Sequence, residues 1–351
     1  MALLRYQSQT GHMPDKLPRI AATQDWRQQL RDVITSTAEL LSVLELKPGQ
    51  VGASEAACAD FPLKVPRSFV ARMQPRNPRD PLLRQVLASR QELTSPAGFG
   101  TDPVGEQDSA NPRAGIIHKY QGRVLLIVAG GCAVNCRYCF RRHFPYGENR
   151  ISRDEWRAAL DYIRADAGIT EVILSGGDPL LAGDEQLSEL VGMLGDIPQV
   201  QRLRVHSRLP VVIPARVTPQ LLDAISHPRL SSVMVLHSNH ANEIDREVGA
   251  AAGALRNHGI TTLNQAVLLG GVNDSVAAQV ALNERLFKVG VLPYYLHLLD
   301  KVAGAAHFDV PEDTAVQLHA ALRARLPGYL VPRLVREVAG ANAKVDVLAR
   351  G

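Results

Sequence analysis

The segment Arg123-Val124-Leu125-Leu126-Ile127-Val128-Ala129-Gly130-Gly131-Cys132-Ala133-Val134-Asn135-Cys136-Arg137-Tyr138-Cys139-Phe140 runs from an apolar stretch straight into a loop. That loop holds three of the chain's four cysteines. The apolar part has the length and composition of a buried strand. Gaps of three and then two residues let the loop curl its thiolates toward one point, the demand made by an iron–sulfur cluster or a zinc ion. A [4Fe-4S] cube held by three cysteines leaves one iron without a protein ligand, and there a small molecule can bind. Two blander readings compete. Free cysteines are often small core residues, although Asn135, Arg137, Arg141 and Arg142 make this a polar neighbourhood. Zinc also stays open, because Cys132, Cys136, Cys139 and His143 would make a Cys3His set. Cys58, alone among small residues, reads as a packing residue or a free thiol.

Outward from this segment, from about residue 115, apolar strands alternate with amphipathic helices. The strands are expected at 123–129, 171–175, 202–206, 232–237, 261–269 and 293–299. Helical patterns fill 153–166, 184–195, 219–226, 242–257 and 276–289, the first opened by Ser152 with Glu155 completing a capping box. Strands that alternate with helices form a parallel sheet, since each crossover must return the chain to the same end. Six units predict an α/β fold, a partial (β/α)6 TIM-like barrel rather than a closed eight-stranded one. The Cys loop, Ser175-Gly176-Gly177-Asp178-Pro179, His206-Ser207-Arg208, His237-Ser238-Asn239 and the stretch 297–300 all fall at C-terminal strand ends, the catalytic rim of such a barrel.

Residues 1–110 read as a mainly helical extension and linker, with helical spacing over 25–46 and a Gly/Pro/Asp/Ser-rich stretch over 95–112. Residues 111–325 are assigned to the barrel and 326–351 to a short C-terminal segment. With 351 residues, 46% hydrophobic and 21% charged, the composition is that of an ordinary globular protein. A net charge of +4 spread along the chain does not suggest a nucleic-acid partner, and no apolar run approaches bilayer length. The N-terminus lacks a signal-peptide core, so a cytoplasmic setting is expected, where clustered thiols bind metals. The basic stretch from Arg137 to Arg142 is expected to serve the cluster and anionic ligands.

The spacing Cys-x3-Cys-x-aromatic-Cys, with Tyr138 as the aromatic, resembles the signature of radical S-adenosylmethionine (SAM) enzymes. The resemblance implies a [4Fe-4S] cluster on Cys132, Cys136 and Cys139, whose open iron chelates SAM and cleaves it to a 5′-deoxyadenosyl radical. Ser175, Gly176, Gly177 and Asp178 then match the motif that holds the methionine part of SAM.

Further motifs resemble the lysine 2,3-aminomutase family: His118-Lys119-Tyr120, Cys139-Phe140-Arg141-Arg142, Ser207-Arg208-Leu209-Pro210-Val211-Val212, His237-Ser238-Asn239 and Gly271-Val272-Asn273-Asp274. Within it, the stretches 131–146 and 294–302 resemble the branch that makes (R)-β-lysine for elongation factor P. The resemblance implies pyridoxal phosphate (PLP) as a Schiff base on Lys344, with Lys301 the fallback, and Lys119 and Arg123 at its phosphate. It implies Arg141 on the substrate α-carboxylate, and Asp300 with Glu337 on the distal ammonium of L-lysine. Tyr138, His237, Asn264 and Gln265 are further expected cofactor contacts. Glu337 stands where the well-known aminomutases carry Asp, and the run before Lys344 keeps only Gly340 of the family's glycine-rich run. A reduced flavodoxin or ferredoxin-type protein is the implied electron donor, and the ligase that modifies elongation factor P a functional partner. A homo-oligomer is left open. The alternatives are a glutamate 2,3-aminomutase, a radical RNA methylase, and a non-enzymatic zinc or iron–sulfur protein.

Overall fold

Seven parallel strands, each but the last followed by a helix before the next begins, form the frame of the computed structural model, which describes residues 25–106, 110, 112–146 and 153–347. The nine strands of the sheet lie in sequence order: β1 Ile116–Tyr120, β2 Arg123–Ala129, β3 Glu171–Gly176, β4 Arg202–Ser207, β5 Ser231–His237, β6 Thr261–Val267, β7 Leu292–His297, β8 Arg333–Arg336 and β9 Val345–Asp346. β2 to β8 are parallel, whereas β1 pairs antiparallel with β2 and β9 with β8. Among the described residues β1 and β9 do not pair, so the barrel stays partial.

Alternation along each strand sorts the side chains onto two faces. Val124 and Leu126, Val172 and Leu174, Leu203 and Val205, and Met234 and Leu236 are buried in one core with helix residues such as Trp156, Leu160, Leu187 and Leu194. Alternation therefore leaves Ser175, His206, His237 and Gln265 on the opposite face, inside the curve.

All six expected strands are present within two residues at each end. Three more were not legible. β8 is four residues long and charged at both ends, β9 has two residues, and β1 is a short edge strand. The expected helices over 184–195 and 276–289 form as Asp184–Gly195 and Val276–Lys288. The capping residue Ser152 lies outside the described residues. The stretch 25–46 breaks into Trp26–Arg31 and Thr37–Val43, because Ile34 makes a two-way backbone bridge to Val65 at 2.8 and 3.0 Å and Ser36 caps the second helix. Leu40, Phe69, Leu82 and Leu83 of this N-terminal part join the same core as the sheet.

The end of β3 is pressed against the start of the Cys loop. Gly177 N–H donates to Ala129 O at 2.7 Å and Asp178 N–H to Gly131 O at 2.8 Å. Gly176 has φ +113°, and a Cβ on Gly177 would lie 2.1 Å from the Gly131 carbonyl oxygen. Backbone cannot yield as a flexible side chain does, so glycine is required at both positions. Gly177→Ala should destabilise the fold by at least about 2 kcal/mol in a denaturant titration and reduce cluster incorporation. A variant with wild-type stability would contradict this packing.

Candidate active site

The residues between the cysteines tie the loop down. Arg137 is fully buried and donates to Glu92 from Nε at 2.9 Å and from Nη2 at 2.5 Å, with further bonds to the carbonyls of Phe61 and Ala57. Arg142 reaches Glu92 at 3.2 Å and Asp60 at 2.8 Å. These two arginines were expected to face the cluster or anionic ligands; instead they bind the loop to carboxylates of the N-terminal part, since a buried guanidinium needs a paired anion.

The remaining side chains converge on the thiols. Arg208 Nη1 donates to Cys136 Sγ at 2.7 Å and to the Tyr138 hydroxyl at 2.6 Å, while Nη2 donates to Gln85 at 2.8 Å and Glu243 at 3.2 Å. Asn239 Nδ2 donates to the same Tyr138 oxygen at 2.7 Å. Burial, then the charges of Cys139 and Asp178, push the Cys132 thiol well up. Burial and Cys136 push Cys139 to about 11. Three thiolates side by side repel one another, and bound iron relieves that repulsion by deprotonating and pairing them. A buried arginine beside one sulfur adds a donor suited to an electron-rich sulfur. The donor set fits a cluster. Among the described residues no three His, Cys, Asp or Glu side chains converge as the ligands of a single ion would.

Asp178 has a different place from the one its motif suggests. Its carboxylate accepts from Ser207 Oγ at 2.7 Å and from the backbone N–H groups of Leu180, Arg208 and Leu209 at 2.9–3.1 Å. These four donors make it a clamp between the ends of β3 and β4, while Ser175 and the Gly176 carbonyl accept from Arg141.

A second cluster lies across the curve of the sheet. Glu337, just past β8, accepts from Lys344 Nζ at 2.5 Å, from Lys119 Nζ at 3.4 Å and from the Tyr120 hydroxyl. Lys119 also pairs with Glu106 at 3.3 Å, and Glu106 grips Arg141 at Nε (2.6 Å) and Nη2 (3.0 Å). One chain of ion pairs thus runs Arg141–Glu106–Lys119–Glu337–Lys344. The adjacent residues Lys119 and Tyr120 reach one carboxylate because the β1 register shifts between Ile117 and Tyr120. Burial alone would raise Glu337, but Lys344 and the Tyr120 hydrogen bond hold it at about 2. Asp300, in the loop after β7, is pushed by burial and by Glu337 to about 7. Arg123 stacks on the Tyr120 ring at 4.7 Å.

Three histidines face this cluster. His237 Nε2 lies 2.9 Å from the Gln265 amide nitrogen, and burial with nearby Arg208 and Arg141 brings its pKa to about 3. With the amide as donor, the ring is neutral and carries its proton on Nδ1. Burial and neighbouring cations also keep His206 and His297 neutral, Lys344 acting on both. Their Nε2 atoms are buried without a hydrogen-bond partner among the described residues. Two such atoms beside a lysine and several cations form a lining suited to a polar anionic cofactor and substrate.

The structure therefore brings together Lys119, Arg123, Arg141, Asp300, Glu337, Lys344, His237 and Gln265, and sets Tyr138 and the cysteines beside them through Arg208. Asn264 instead holds the backbone of Ser238, accepting from its N–H at 2.9 Å and donating to its carbonyl at 3.0 Å. Lys301, the fallback for Lys344, is exposed and lies over Phe99 at 5.9 Å. Glu106, Tyr120, His206, Arg208 and His297 were not singled out as site residues. For His206, Arg208 and His297 the signal was position at a strand end, and for Tyr120 its place in the motif His118-Lys119-Tyr120; for Glu106 there was none.

The fold and the cysteine site define a radical SAM enzyme, and residues 126–233 match the model of the Radical SAM superfamily. The chain is 50% identical over 325 residues to L-lysine 2,3-aminomutase of Escherichia coli strain K12, covering 92% of this chain and 94% of that one. It is 48% identical to the protein of that name from Haemophilus influenzae (92% and 95% covered) and 34% identical to that from Clostridium subterminale (92% and 78%). The chain belongs to the L-lysine 2,3-aminomutase family. It is accordingly an isomerase of the radical type, served by a [4Fe-4S] cluster and SAM and needing an electron donor. No described helix is long and apolar enough to cross a membrane.

Replacing Cys132, Cys136 or Cys139 by Ala should each bring reconstituted protein from about four irons per chain to below about one. Cys58, whose sulfur accepts from Leu63 N–H at 3.4 Å, should be replaceable without iron loss. Full iron in a Cys136→Ala variant would contradict the assignment.

Proposed function

We propose that this enzyme converts L-lysine to β-lysine by moving the α-amino group to the neighbouring carbon, with pyridoxal phosphate as its second cofactor. The observation that carries this reading is one connected site that offers a guanidinium (Arg141), two acids (Asp300 and Glu337) and a lysine (Lys344). A guanidinium fork suits a carboxylate, and two acids suit a side-chain ammonium. The name shared by the relatives points the same way.

When bound, the cluster with SAM supplies hydrogen abstraction, and pyridoxal phosphate supplies the carbonyl chemistry that lets nitrogen migrate. The protein's part is to hold and to shield. Cys132, Cys136 and Cys139 would carry the cluster, and Ser175, Gly176 and Gly177 the methionine part of SAM, with Tyr138 in the wall. Lys344 would hold the pyridoxal carbonyl, and Lys119 with Arg123 its phosphate. His237 and Gln265, neutral and mutually hydrogen-bonded, would contact cofactor without adding charge. Arg141 orients the α-carboxylate; Asp300 and Glu337 orient the ammonium and fix the substrate's length. Glutamate is disfavoured because its side-chain carboxylate would meet two acids.

The motif likeness over 131–146 and 294–302 supports a role in supplying β-lysine for attachment to elongation factor P, in the cytoplasm and with a flavodoxin- or ferredoxin-type reductant. The test of the reaction is an anaerobic assay of reconstituted protein with dithionite, SAM, pyridoxal phosphate and L-lysine. β-Lysine dependent on both cofactors is expected; rearrangement of glutamate in preference to lysine would overturn the reading.

The state of Asp300 gives a second expectation. Its pKa is raised to about 7, so it is increasingly protonated below that pH, whereas an ammonium binds its anion. Lysine affinity should therefore rise with pH, by up to about tenfold per unit below pH 7, and level off above it. Calorimetric titrations across this range should show the slope, and Asp300→Asn should abolish it. A flat wild-type profile would remove Asp300 from the ammonium site.

A further inference from the structure

Glu106 lies in a segment that crosses the open end of the sheet. Gly100 bridges to the loop after β7, its N–H donating to Lys301 O at 3.0 Å and its carbonyl accepting from Ala303 N–H at 2.8 Å. A Cβ on Gly105 would sit 3.2 Å from that of Ala339, so the segment also rests on the β8–β9 connection. From there the Glu106 side chain turns inward and is only 5% exposed.

Its grip on Arg141 uses up most of that guanidinium. Nε and Nη2 donate to the two carboxylate oxygens, and Nη1 donates to Ser175 Oγ at 3.3 Å and Gly176 O at 3.2 Å. Of the five N–H groups of an arginine, one on Nη2 is left among the described residues. A second carboxylate could not form its own two-point contact there, and it would meet the charge of Glu106. At the opposite end the Lys344 ammonium sits on Glu337, where a substrate ammonium is expected. Both charges of the amino acid thus have internal counterparts.

We propose that Glu106 occupies the substrate-carboxylate seat on Arg141 in the resting protein, so that the α-carboxylate of the amino acid binds by displacing it. The inference rests on the aminomutase reading above. Displacement trades one carboxylate for another, so the pair on Arg141 is kept while the affinity for substrate is divided by how seldom the seat is open. Glu106 is then a residue that sets affinity and discriminates for the carboxylate end, a role separate from that of Arg141.

The test is isothermal titration of full-length, cofactor-loaded protein with L-lysine and with L-lysinamide, which has no carboxylate. Glu106→Gln keeps the shape but removes the charge and leaves one acceptor oxygen where the fork now uses two, so it weakens the hold on Arg141. If the seat is open about one-tenth of the time, its Kd for lysine should fall about tenfold, with no such gain for lysinamide. Glu106→Asp, which retains the charge but pulls it back from the fork, should lower the lysine Kd in the same selective way. A lysine Kd that is unchanged or raised in these variants, in protein whose wild type rearranges lysine, overturns the inference and leaves the function standing. A wild type that neither binds nor rearranges lysine overturns the aminomutase reading, and the inference with it.

Discussion

One carboxylate joins the two edges of this open barrel. Glu337, on the strand side of the β8–β9 connection, receives Lys119 and Tyr120 from β1 and Lys344 from the opposite margin of the sheet. No backbone hydrogen bonds link β1 to β9 among the described residues, so these side chains do what a closing strand pair does elsewhere. Removing one partner from such a buried set leaves the other charge uncompensated, at a typical cost of about 3–5 kcal/mol. The same contact that closes the frame therefore also fixes the position of Lys344.

From that joint the electrostatics of the interior follow. Glu337 stays ionised because cations surround it, and its charge in turn raises Asp300. Burial keeps the facing histidines neutral, helped by Lys344 at all three and by arginines at His206 and His237. The result is an interior of alternating fixed charges with neutral rings between them. That suits an enzyme whose cofactors perform the difficult steps and whose protein must position, insulate and exclude water. On the thiol side, Arg208 plays the corresponding part, linking Cys136 and Tyr138 to Gln85 of the N-terminal part and Glu243 beyond β5.

Sequence carried the strands well where an apolar run and a following helix agreed, as for the strand at 171–175 and the helix over 184–195. It carried the cysteine site because three ligands lie within eight residues. What it could not carry was anything built from short pieces. β8 and β9 owe their pairing to neighbours already in place, and Lys344 had meaning only through the resemblance until β9 set it beside Glu337. Glu106 was invisible for the same reason: an acid in a Gly/Pro-rich linker becomes informative only when the fold points it at Arg141. Conversely, Arg137 and Arg142 looked functional by proximity to the cysteines, and the structure gives them to Glu92 and Asp60. Asp178 belongs with them, since its motif suggested a ligand contact and its four protein donors make it a clamp.

Lys344, delivered by the C-terminal hairpin, is the residue proposed to hold pyridoxal phosphate. Borohydride reduction of the pyridoxal-phosphate-loaded protein, followed by peptide mapping, tests it most directly. The pyridoxyl label is predicted on Lys344. A label on Lys301 or Lys119, with Lys344 unmodified, would contradict the account.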